Sequence, residues 1–386
     1  MSSEATKKPP QTILSTFLHY MILLPTFNSI IRISHSSLIN HTGTRMKTYH
    51  LHQLLLSCLS LLYSISQASS NFSSAQRCIN EERSALLHLK EGFSIEPELF
   101  SFPLPPPTFS LLPSWETGTD CCSWERITCN KKTGHVISLD LSSSWLSGNI
   151  SSISLCKLGY LRVLNLADNY FVSSLIPSGL DHLSRLTHLN LSYSGFSGQI
   201  PMDISNLTNL VSFDLSAYGS RMKLERPNLR MLVQNLTSLR ELVLDGVNIS
   251  SQGNEWCKVL SAAVPNLRVL SLSSCGLLGP ISTSISHLHF LSQLNLNRNN
   301  LSSVLPESFV NFSSLTSLQL HSCELYGEFP KQIFQLPFLE VLQLAGNTLL
   351  IGSLPAFPRE SGIRVLSLTS TSFFGEIPDS IAIISR

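Results

Sequence analysis

Leucines recur along the second half of the chain at a fixed interval. The residues that open successive copies lie 24 positions apart, and they are Leu267, Leu291, Leu315, Leu339 and Ile363. Each opener begins an LxxLxL pattern, whose last two leucines are separated by a single residue. Because alternate residues of a strand point to the same face, the pattern predicts one short strand per copy with its leucines turned inward.

A fixed period of this length is typical of a solenoid, and LxxLxL followed three residues later by Asn or Cys is the leucine-rich-repeat pattern. One copy cannot bury its apolar face alone, so the copies must stack and pair their strands in parallel. The sequence therefore predicts a curved leucine-rich-repeat solenoid with a parallel sheet on its concave face. Asn299 and Asn347 follow their strands, where a buried amide can bond backbone groups of adjacent coils. Cys275 and Cys323 take that place in two copies, and we expect small buried thiols there.

Five earlier copies extend the array toward the N-terminus, with strands expected at 139–141, 164–166, 189–191, 213–215 and 242–244. Two intervals are longer: Leu210 to Leu239 is 29 residues, and Leu239 to Leu267 is 28. The extra residues predict loops that begin near Tyr218 and near Asn248, the second with a helix-like WCKVL segment. Such loops project on one side of a solenoid, where they either carry recognition or are tolerated insertions.

The N-terminal part of the chain predicts export. Residues 46–68 have the features of a signal peptide, with a short polar head at Met46 and Lys47, an apolar segment at 54–65 and small residues for cleavage at 66–68. The apolar run is too short for a comfortable membrane span. Residues 1–45 are interpreted as an extension of the gene model, with a signal anchor or a targeting extension as alternatives. We expect a cap over 71–133 and about ten repeats over 134–386, the last one incomplete.

Export leads through an oxidising compartment and allows N-glycosylation. Eight asparagines precede x-Ser or x-Thr without proline, namely Asn71, Asn149, Asn190, Asn206, Asn235, Asn248, Asn300 and Asn311. Asn190 falls between the two inward leucines of its strand, so a glycan there would stand on the strand face. The expected localisation is the secretory pathway, ending at the plasma membrane as an extracellular ectodomain if the chain is part of a longer protein, and otherwise in the apoplast.

A segment without the repeat period precedes the first coil and is placed to cover it. The sequence NEERSALLHLKEGF predicts an amphipathic helix over 80–93, with Asn80 as its cap and two glutamates in its first turn, where they are favourable against the helix dipole. A proline-rich connection leads from there to SWETGTDCCSWERITC.

The cap contains four cysteines, which are Cys78, Cys121, Cys122 and Cys129. A bond between the two adjacent cysteines closes only a strained ring, which favours pairing the first with the second and the third with the fourth. Among the remaining cysteines, Cys257 either meets Cys275 or stays free, and Cys156 is expected in the core.

Cap and repeats together resemble a plant family. The combination CxxxERxALLxxK, SW and CCxWxxxxC resembles the N-terminal cap of plant extracellular leucine-rich-repeat receptors, and the GxIP corners at 198–201 and 375–378 resemble the plant-type repeat of about 24 residues. Over 253–381 the likeness is closest to the Verticillium-wilt resistance type of receptor-like protein. The resemblance implies the disulfide pairing above, a cell-surface ectodomain, a single membrane span, a short tail without a kinase, and signalling through partner kinases. The family usually has glycine where this chain has Arg126, a departure that bears on the local turn.

Composition and motifs narrow the function further. A formal net charge of +1 and 13% charged residues argue against nucleic-acid binding. The sequence has no phosphate-binding glycine loop, kinase signature or paired-cysteine metal spacing, so we expect no enzyme, no cofactor and no metal site. Strands about 4.8 Å apart would instead make a face on the order of 40 Å long, sufficient for a protein or an extended peptide. The candidate ligand face consists of Arg162, Asn165, Asp168, His188, Tyr193, Arg240, Glu241, Asp245, Arg268, Gln293, Asn295, Asn297, Arg298, Gln319, His321, Glu340, Gln343 and Arg364.

Three functions are compatible with these features. The first is recognition of a secreted microbial or plant polypeptide by an extracellular receptor-like protein in pathogen defence, with a co-receptor kinase as partner of the full-length protein. The second is a secreted inhibitor of a cell-wall-degrading enzyme, which would share cap and repeats. The third is a truncated receptor copy without signalling, whose last coil would expose Ile381, Ile383 and Ile384.

Overall fold

The computed structural model describes residues 78–95, 111–217, 221–250 and 255–383, together with Ser57 and Ser60. The chain divides into two compact units, Met1–Ser74 and Ala75–Arg386. In the first unit, Ser57 and Ser60 are helical, and the hydroxyl of Ser60 donates to the Ser57 carbonyl at 2.9 Å. The remainder of the expected signal peptide, the 1–45 extension, the proline-rich connection at 97–107, Asn71 and Ile384 lie outside the described residues.

The second unit is built on one main sheet of eleven strands that neighbour each other in chain order. The first strand, Ile127–Cys129, is antiparallel to Val136–Asp140, and all the later pairings are parallel. The later strands are Val163–Asn165, His188–Asn190, Ser212–Asp214, Glu241–Val243, Val269–Ser271, Gln293–Asn295, Ser317–Gln319, Val341–Gln343 and Val365–Ser367. The predicted parallel solenoid is therefore confirmed.

The register of the main sheet keeps the repeated leucines in one buried row. Leu270 pairs with Leu294 and Leu294 with Leu318, and all three side chains are fully buried. Nine of the ten parallel strands are three residues long, with one inward leucine or phenylalanine between two flanking residues, which gives the alternation that the sequence predicts. The flanking residues of these strands are exposed or half-buried except Ser271, which is buried. Burial of this row continues through a single apolar core, so each coil depends on its neighbours.

Short helices and small sheets complete each coil. The 3-10 helices are Cys121–Ser123, Leu180–His182, Met202–Asn206, Thr283–His287, Glu307–Asn311, Lys331–Gln335 and Asp379–Ile383, and the α-helices are Asn80–Glu91, Ser152–Cys156, Leu229–Val233 and Trp256–Ala263. A second sheet contains the parallel strands Tyr326–Glu328, Leu349–Gly352 and Ser372–Phe373. Two smaller sheets pair Gly198–Gln199 with Met222–Lys223 in parallel and Phe93–Ser94 with Ser147–Gly148 antiparallel. None of the helices in the described ranges combines the length and apolar composition needed to cross a bilayer.

Each of the two long intervals contains an α-helix, and the second, Trp256–Ala263, includes the WCKVL segment that was expected to be helix-like. The loops expected to begin near Tyr218 and near Asn248 stay a prediction. Leu229–Val233 and Trp256–Ala263 stand where other coils have a 3-10 helix, and they pack against each other. Trp256 is fully buried, so the extra residues widen the core layer opposite the sheet. The strand register is unchanged across both insertions, with Leu242 paired to its neighbours on either side. Residues 218–220 and 251–254 are outside the described part.

Buried asparagines tie successive coils together, as the sequence predicts. The Asn299 amide nitrogen donates to the carbonyls of Leu272 and Leu296, each at 2.8 Å, and its oxygen accepts from the backbone of Cys275 and Leu277 at 3.1 and 3.0 Å. Asn169 and Asn347 make the same bonds in their coils. These bonds satisfy backbone groups that the irregular turn would leave unpaired.

Cysteines replace the asparagine in two coils and stay buried. The Cys275 thiol donates to the carbonyl of Leu244, and the Cys323 thiol donates to that of Leu296, both at 3.1 Å. Burial raises the pKa of Cys323 to about 12. Cys257 is free and buried, whereas Cys156 is only half-buried and not a full core residue as expected. Its thiol lies at the coil surface because it donates to the carbonyl of Gly179 at 3.1 Å.

The cap covers the first coil through its helix and its antiparallel strand. The helix ends at Glu91, and Asn80 is its first residue; Ile79 holds the cap position without a side-chain bond, so the predicted Asn80 cap is wrong. The buried Glu82 instead joins the helix to the strand Val136–Asp140, since its two oxygens lie 2.8 Å from His135 Nδ1 and from the backbone nitrogen of Val136. A carboxylate accepting both bonds is satisfied where an unpaired one would be costly.

The cap disulfides join Cys78 to Cys121 and Cys122 to Cys129, the pairing that the sequence favours. Arg126 keeps the turn for which the related caps have glycine: its φ is +66°, and its guanidinium donates to the carbonyl of Ser142 at 2.8 Å. At the other end of the array, Ile381 lies in the 3-10 helix Asp379–Ile383 and is half-buried against the core, not exposed as expected. The side chain of Ile383 is outside the described part.

Candidate functional site

The strand face is defined here as the outward side of the ten parallel strands, of the residue that precedes each strand and of the turn that follows it. All the predicted ligand-face residues lie on it, and none of them is buried. Those that are exposed are Arg162, Asp168, His188, Tyr193, Arg240, Glu241, Arg268, Gln293, Arg298, Glu340 and Arg364. Those that are half-buried are Asn165, Asp245, Asn295, Asn297, Gln319, His321 and Gln343. Whether they bind a ligand stays a prediction.

Strand register brings the outward residues into two rows that run along the sheet. One row contains Val163, His188, Ser212, Glu241, Val269, Gln293, Ser317, Val341 and Val365. The other contains Asp140, Asn165, Asn190, Asp214, Val243, Ser271, Asn295, Gln319, Gln343 and Ser367. With strands about 4.8 Å apart, these rows form one continuous surface and not a set of separate sites.

Several members of the second row hold the turn at the end of their own strand. The side-chain oxygens of Asp140, Asn190 and Asp214 each accept from the backbone nitrogen and the hydroxyl of the serine two residues later. This is the local bonding for which Asn and Asp are favoured in turns. Asp140 and Asp214 are absent from the set of residues predicted from the sequence. Both are followed by Leu-Ser, as Asn190 is, and this shared pattern is the sequence signal that could have identified them.

A network of amides crosses the middle strands of the face. The Asn295 amide donates to the Ser271 hydroxyl at 2.9 Å, and the Asn297 amide donates to Gln319 Oε1 at 3.2 Å. The Asn297 oxygen also accepts from the backbone of His321 at 2.7 Å. These bonds fix side-chain positions before any ligand arrives, which lowers the entropy lost on binding.

Charge is distributed unevenly across the width of the face. Arginines occupy the position just before the strand in four of the ten parallel coils, at Arg162, Arg240, Arg268 and Arg364, whereas Glu340 has that position in another. At the other side, Asp140 and Asp214 end their strands and Asp168 and Asp245 lie in the turns that follow, all of them before residue 246, whereas Arg298 lies in such a turn further along the chain. Burial raises the pKa of Asp245, the bonds from Ser271 and Ser273 oppose that rise, and the Asp214 charge adds to it. Positive charge thus lies before four of the strands, and negative charge lies at the opposite ends of strands in the N-terminal half of the face.

Side chains of the cap and the first coils form a cluster at the N-terminal end that the sequence did not predict. His135 stacks on Tyr160 with ring centroids 3.5 Å apart, and the Arg185 guanidinium lies 4.2 Å from the centroid of the same ring. His135 also contacts Glu82 of the cap helix. These residues lie in different coils, and nothing in their local sequence shows that they meet.

Metal-ligating residues and glycosylation sequons are placed as follows. The sulfurs of Cys78, Cys121 and Cys122 lie within 4.8 Å of one another, but all three are in disulfides and so are not thiolate ligands. Six of the sequon asparagines are exposed and lie outside the main-sheet strands, namely Asn149, Asn206, Asn235, Asn248, Asn300 and Asn311. Asn190 is half-buried within its strand.

Family models match four segments of the chain. A leucine rich repeat N-terminal domain matches residues 79–130, and leucine rich repeat models match residues 160–183, 185–207 and 265–325. The first of these segments coincides with the cap, and the others coincide with parallel coils of the main sheet.

The curated relatives are plant proteins. The chain is 37% identical over 284 residues to receptor-like protein 6 of Arabidopsis thaliana, covering 70% of this chain and 28% of that protein. It is 37% identical over 261 residues to receptor-like protein EIX1 of Solanum lycopersicum, covering 62% of this chain and 23% of that protein. The chain thus spans about a quarter of the length of these relatives. The Verticillium-wilt resistance type stays a prediction.

Solved structures show the same fold. The ectodomain of the Arabidopsis receptor kinase HAESA superposes with a TM-score of 0.61 at 23% identity, covering 79% of this chain and 51% of that one. A plant ice-binding protein superposes with a TM-score of 0.57 at 23% identity, covering 78% and 97%. Cap, parallel coils and relatives agree, and the chain belongs to the leucine-rich-repeat proteins of the plant receptor-like type.

Proposed function

We propose that this chain recognises an extracellular polypeptide on its strand face, as the ligand-binding part of a plant receptor-like protein. The observation that carries the proposal is the continuity of the face: ten parallel strands in register present polar side chains on one side, and none of the predicted ligand residues is buried. A face of this kind has the area that a specific interface needs, whereas the short strands offer no enclosed site for a small molecule.

The charge pattern favours an extended ligand in one orientation. Arginines precede four of the ten strands, and aspartates lie at or just after the opposite ends of four strands, so a polypeptide that crosses these strands meets positive charge on one side and negative charge on the other. Opposite charges arranged in this way steer encounter and fix register more than they add affinity. Arginines at the centre of an interface are nevertheless common hot spots.

The wider role is part of the same proposal. Relatives that are named receptor-like proteins, and the HAESA ectodomain, which was solved with a peptide hormone, support recognition of a secreted polypeptide. We propose a plasma-membrane location with the repeats outside the cell, a co-receptor kinase as partner of the full-length protein, and a role in perceiving pathogens. The Verticillium-wilt resistance type of receptor is the subgroup that we expect.

Site-specific photo-crosslinking tests the proposal. A photoreactive amino acid replaces Gln293, which is exposed on the strand face, or Glu307, which is exposed on the 3-10 helix of the opposite layer of the next coil. Each purified protein is irradiated in extracellular fluid from infected plant tissue, and crosslinked polypeptides are identified by mass spectrometry. We expect a polypeptide that is captured from position 293 and not from position 307. Equal capture at both positions, or capture at 307 alone, would show that the strand face is not the binding surface.

A further inference from the structure

Asn190 is the one asparagine in the described strands of the main sheet that begins a glycosylation sequon. It ends the strand His188–Asn190, between the buried Leu189 and Leu191, and it pairs in register with Asn165 and Asp214 on the neighbouring strands. Asn165 and Asn295 occupy the same row but are followed by Leu-Ala and Leu-Asn, so neither is an acceptor. A glycan on Asn190 would therefore stand in the middle of the outward row.

The amide nitrogen of Asn190 is available to form a bond to a sugar. Its side-chain oxygen accepts from the Ser192 backbone nitrogen at 3.0 Å and from the Ser192 hydroxyl at 2.7 Å. Within the described part of the chain, its nitrogen makes no hydrogen bond that meets the usual geometric limits. Asn299 differs, because its nitrogen donates to the carbonyls of Leu272 and Leu296. The oxygen of Asn190 holds the turn, while the nitrogen is free to carry a substituent.

Two aspartates show that the turn needs only the oxygen. Asp140 and Asp214 accept the same pair of bonds from Ser142 and Ser216, at 2.7 to 3.1 Å. An aspartate has no amide nitrogen, so the fold does not require one at this place in the coil. Asn190 thus differs from its equivalents in the one atom that glycosylation uses.

We propose that Asn190 carries an N-linked glycan, which covers the N-terminal strands of the strand face and leaves the strands from Glu241 to Gln343 open to the polypeptide ligand. In the transfer, the Asn190 nitrogen attacks C1 of the first sugar of a lipid-linked oligosaccharyl diphosphate. The nitrogen–C1 bond forms, the bond from C1 to the diphosphate oxygen breaks, the lipid diphosphate leaves, and the nitrogen loses one proton. The division of the face rests on the proposed function, and the glycan itself rests only on export.

Strand spacing explains why the glycan divides the face. Neighbouring strands are about 4.8 Å apart, which is less than the width of a branched oligosaccharide. Sugars on Asn190 therefore cover Asn165 and Asp214 on the two neighbouring strands and His188 on the same strand. Gln343 lies six strands further on, at about 29 Å by the same spacing. The open part contains the Asn295 and Asn297 amide network, while the other described sequons lie outside the main-sheet strands.

The first test measures occupancy. The protein is secreted from plant cells, and the peptide that contains Asn190 is analysed by glycopeptide mass spectrometry. We expect a glycan in most molecules and none in Asn190→Asp, which keeps the oxygen that Asp140 and Asp214 use and should unfold at the same urea concentration as the parent. Unmodified Asn190 in protein whose exposed Asn300 is modified would overturn the proposal.

The second test measures coverage without a ligand. Diethyl pyrocarbonate labels histidine side chains, and the face has His188 two residues before Asn190 and His321 five strands away. We expect labelling of His188 to be at least fivefold slower in the glycosylated protein than in Asn190→Asp, and labelling of His321 to agree within twofold. Equal labelling of His188 in the two proteins would mean that the glycan does not cover the N-terminal strands.

The third test asks which part of the face the ligand uses. Asn297→Ser turns Asn295 into an acceptor within the open part, and Asn297→Ala loses the same side chain without creating a sequon. With the photoreactive residue at position 293, we expect capture to fall at least tenfold in Asn297→Ser relative to Asn297→Ala, and to be within twofold of the parent in Asn190→Asp. Full capture in glycosylated Asn297→Ser would refute the division of the face. Absence of capture in the parent as well would refute the proposed function instead, and the first two tests would be unaffected.

Discussion

The hydrogen bonds of Asn299 should make a large contribution to the stability of the coil turn. It is buried and makes bonds to four backbone groups of two neighbouring coils. Asn299→Ala leaves the N–H groups of Cys275 and Leu277 and the carbonyl of Leu272 without a partner, whereas the Leu296 carbonyl still accepts from the Cys323 thiol. A buried polar group without a partner costs about 1–3 kcal/mol, and the two N–H groups dominate. We expect a loss of about 3–5 kcal/mol in the free energy of unfolding.

Two matched substitutions separate the hydrogen bonds from the lost volume. Asn299→Cys introduces the residue that the chain itself uses at Cys275, whose thiol donates to the Leu244 carbonyl, so we expect about half the loss of the alanine variant. Asn266→Ala removes an exposed asparagine and should change stability by no more than about 0.5 kcal/mol.

Urea unfolding and amide hydrogen exchange measure these effects together. Because coils in an array open partly independently, exchange of the Leu277 amide, which is bonded to Asn299, reports the local loss that a global transition can mask. We expect this amide to exchange at least a hundredfold faster in Asn299→Ala. A global loss below about 1 kcal/mol, or an Asn299→Cys variant as unstable as Asn299→Ala, would refute the role given to the amide.

Four further predictions concern the backbone and the thiols. Gly246 has a φ of +79°, and an added Cβ would overlap a carbonyl oxygen of the preceding coil. Gly246→Ala should therefore be at least about 2 kcal/mol less stable than Gly118→Ala, because Gly118 also has a positive φ but has open space around it. Equal urea midpoints of the two variants would contradict this. Arg126 has a φ of +66°. Arg126→Gly should be about 1 kcal/mol more stable than Arg126→Ala, because both variants lose the side-chain bonds but only alanine keeps the backbone strain of a positive φ. A higher urea midpoint for Arg126→Ala than for Arg126→Gly would contradict it. Burial raises the pKa of Cys323 from 9.0 to about 12, so this thiol stays protonated in the folded protein at a pH where it ionises in the unfolded chain. Cys323 should therefore lower the free energy of unfolding by about 1.4 kcal/mol per pH unit between pH 9 and 12. The slope should be smaller in Cys323→Ala. At pH 8.5, iodoacetamide should modify the half-buried Cys156 and leave Cys323 intact until the protein unfolds; modification of Cys323 in the native protein would contradict this.

The repeat determines most of the fold because its signals are local and recurrent. The inward leucines, such as Leu294 and Leu318, identify the strands, and the parallel pairing follows from the need to bury a face that no single coil can cover. Asn299 and Asn347 could be assigned to buried turns for the same reason, since each follows its strand at a fixed offset. In a solenoid, the period carries the information that in other folds depends on contacts distant in sequence.

The features that the sequence left undetermined depend on contacts between coils. The sequence indicated the helix at WCKVL in the second long interval, but only packing shows that Trp256 is buried in the core. The Asn80 cap was wrong because the helix begins one residue earlier than the favourable side chain suggested. Glu82 was expected only to lie in the first turn of the helix, where it is favourable against the dipole, and the sequence does not show that it is buried against His135, which lies 53 residues later.

Knowledge of the strand face was likewise partial. Alternation placed every predicted ligand residue outward, but it did not show which of them already bond within the protein, such as Asn295 and Asn297. Asp140 and Asp214 were missed although the D-L-S setting that they share was visible in the sequence, and the structure shows the serines two residues later donating to them. Which of these residues contact a ligand depends on the partner, and one chain alone does not encode that.

Calorimetric titration with the polypeptide captured at position 293 tests the central claim most directly. One variant loses Arg240, Arg268 and Gln293 from the strand face, each replaced by alanine, and its control loses the exposed Arg230 and Glu307 from the opposite layer. Recognition on the strand face predicts at least tenfold weaker binding for the first variant, or about 1.4 kcal/mol, and unchanged binding for the second. Unchanged binding by the face variant together with weaker binding by the control would contradict the claim.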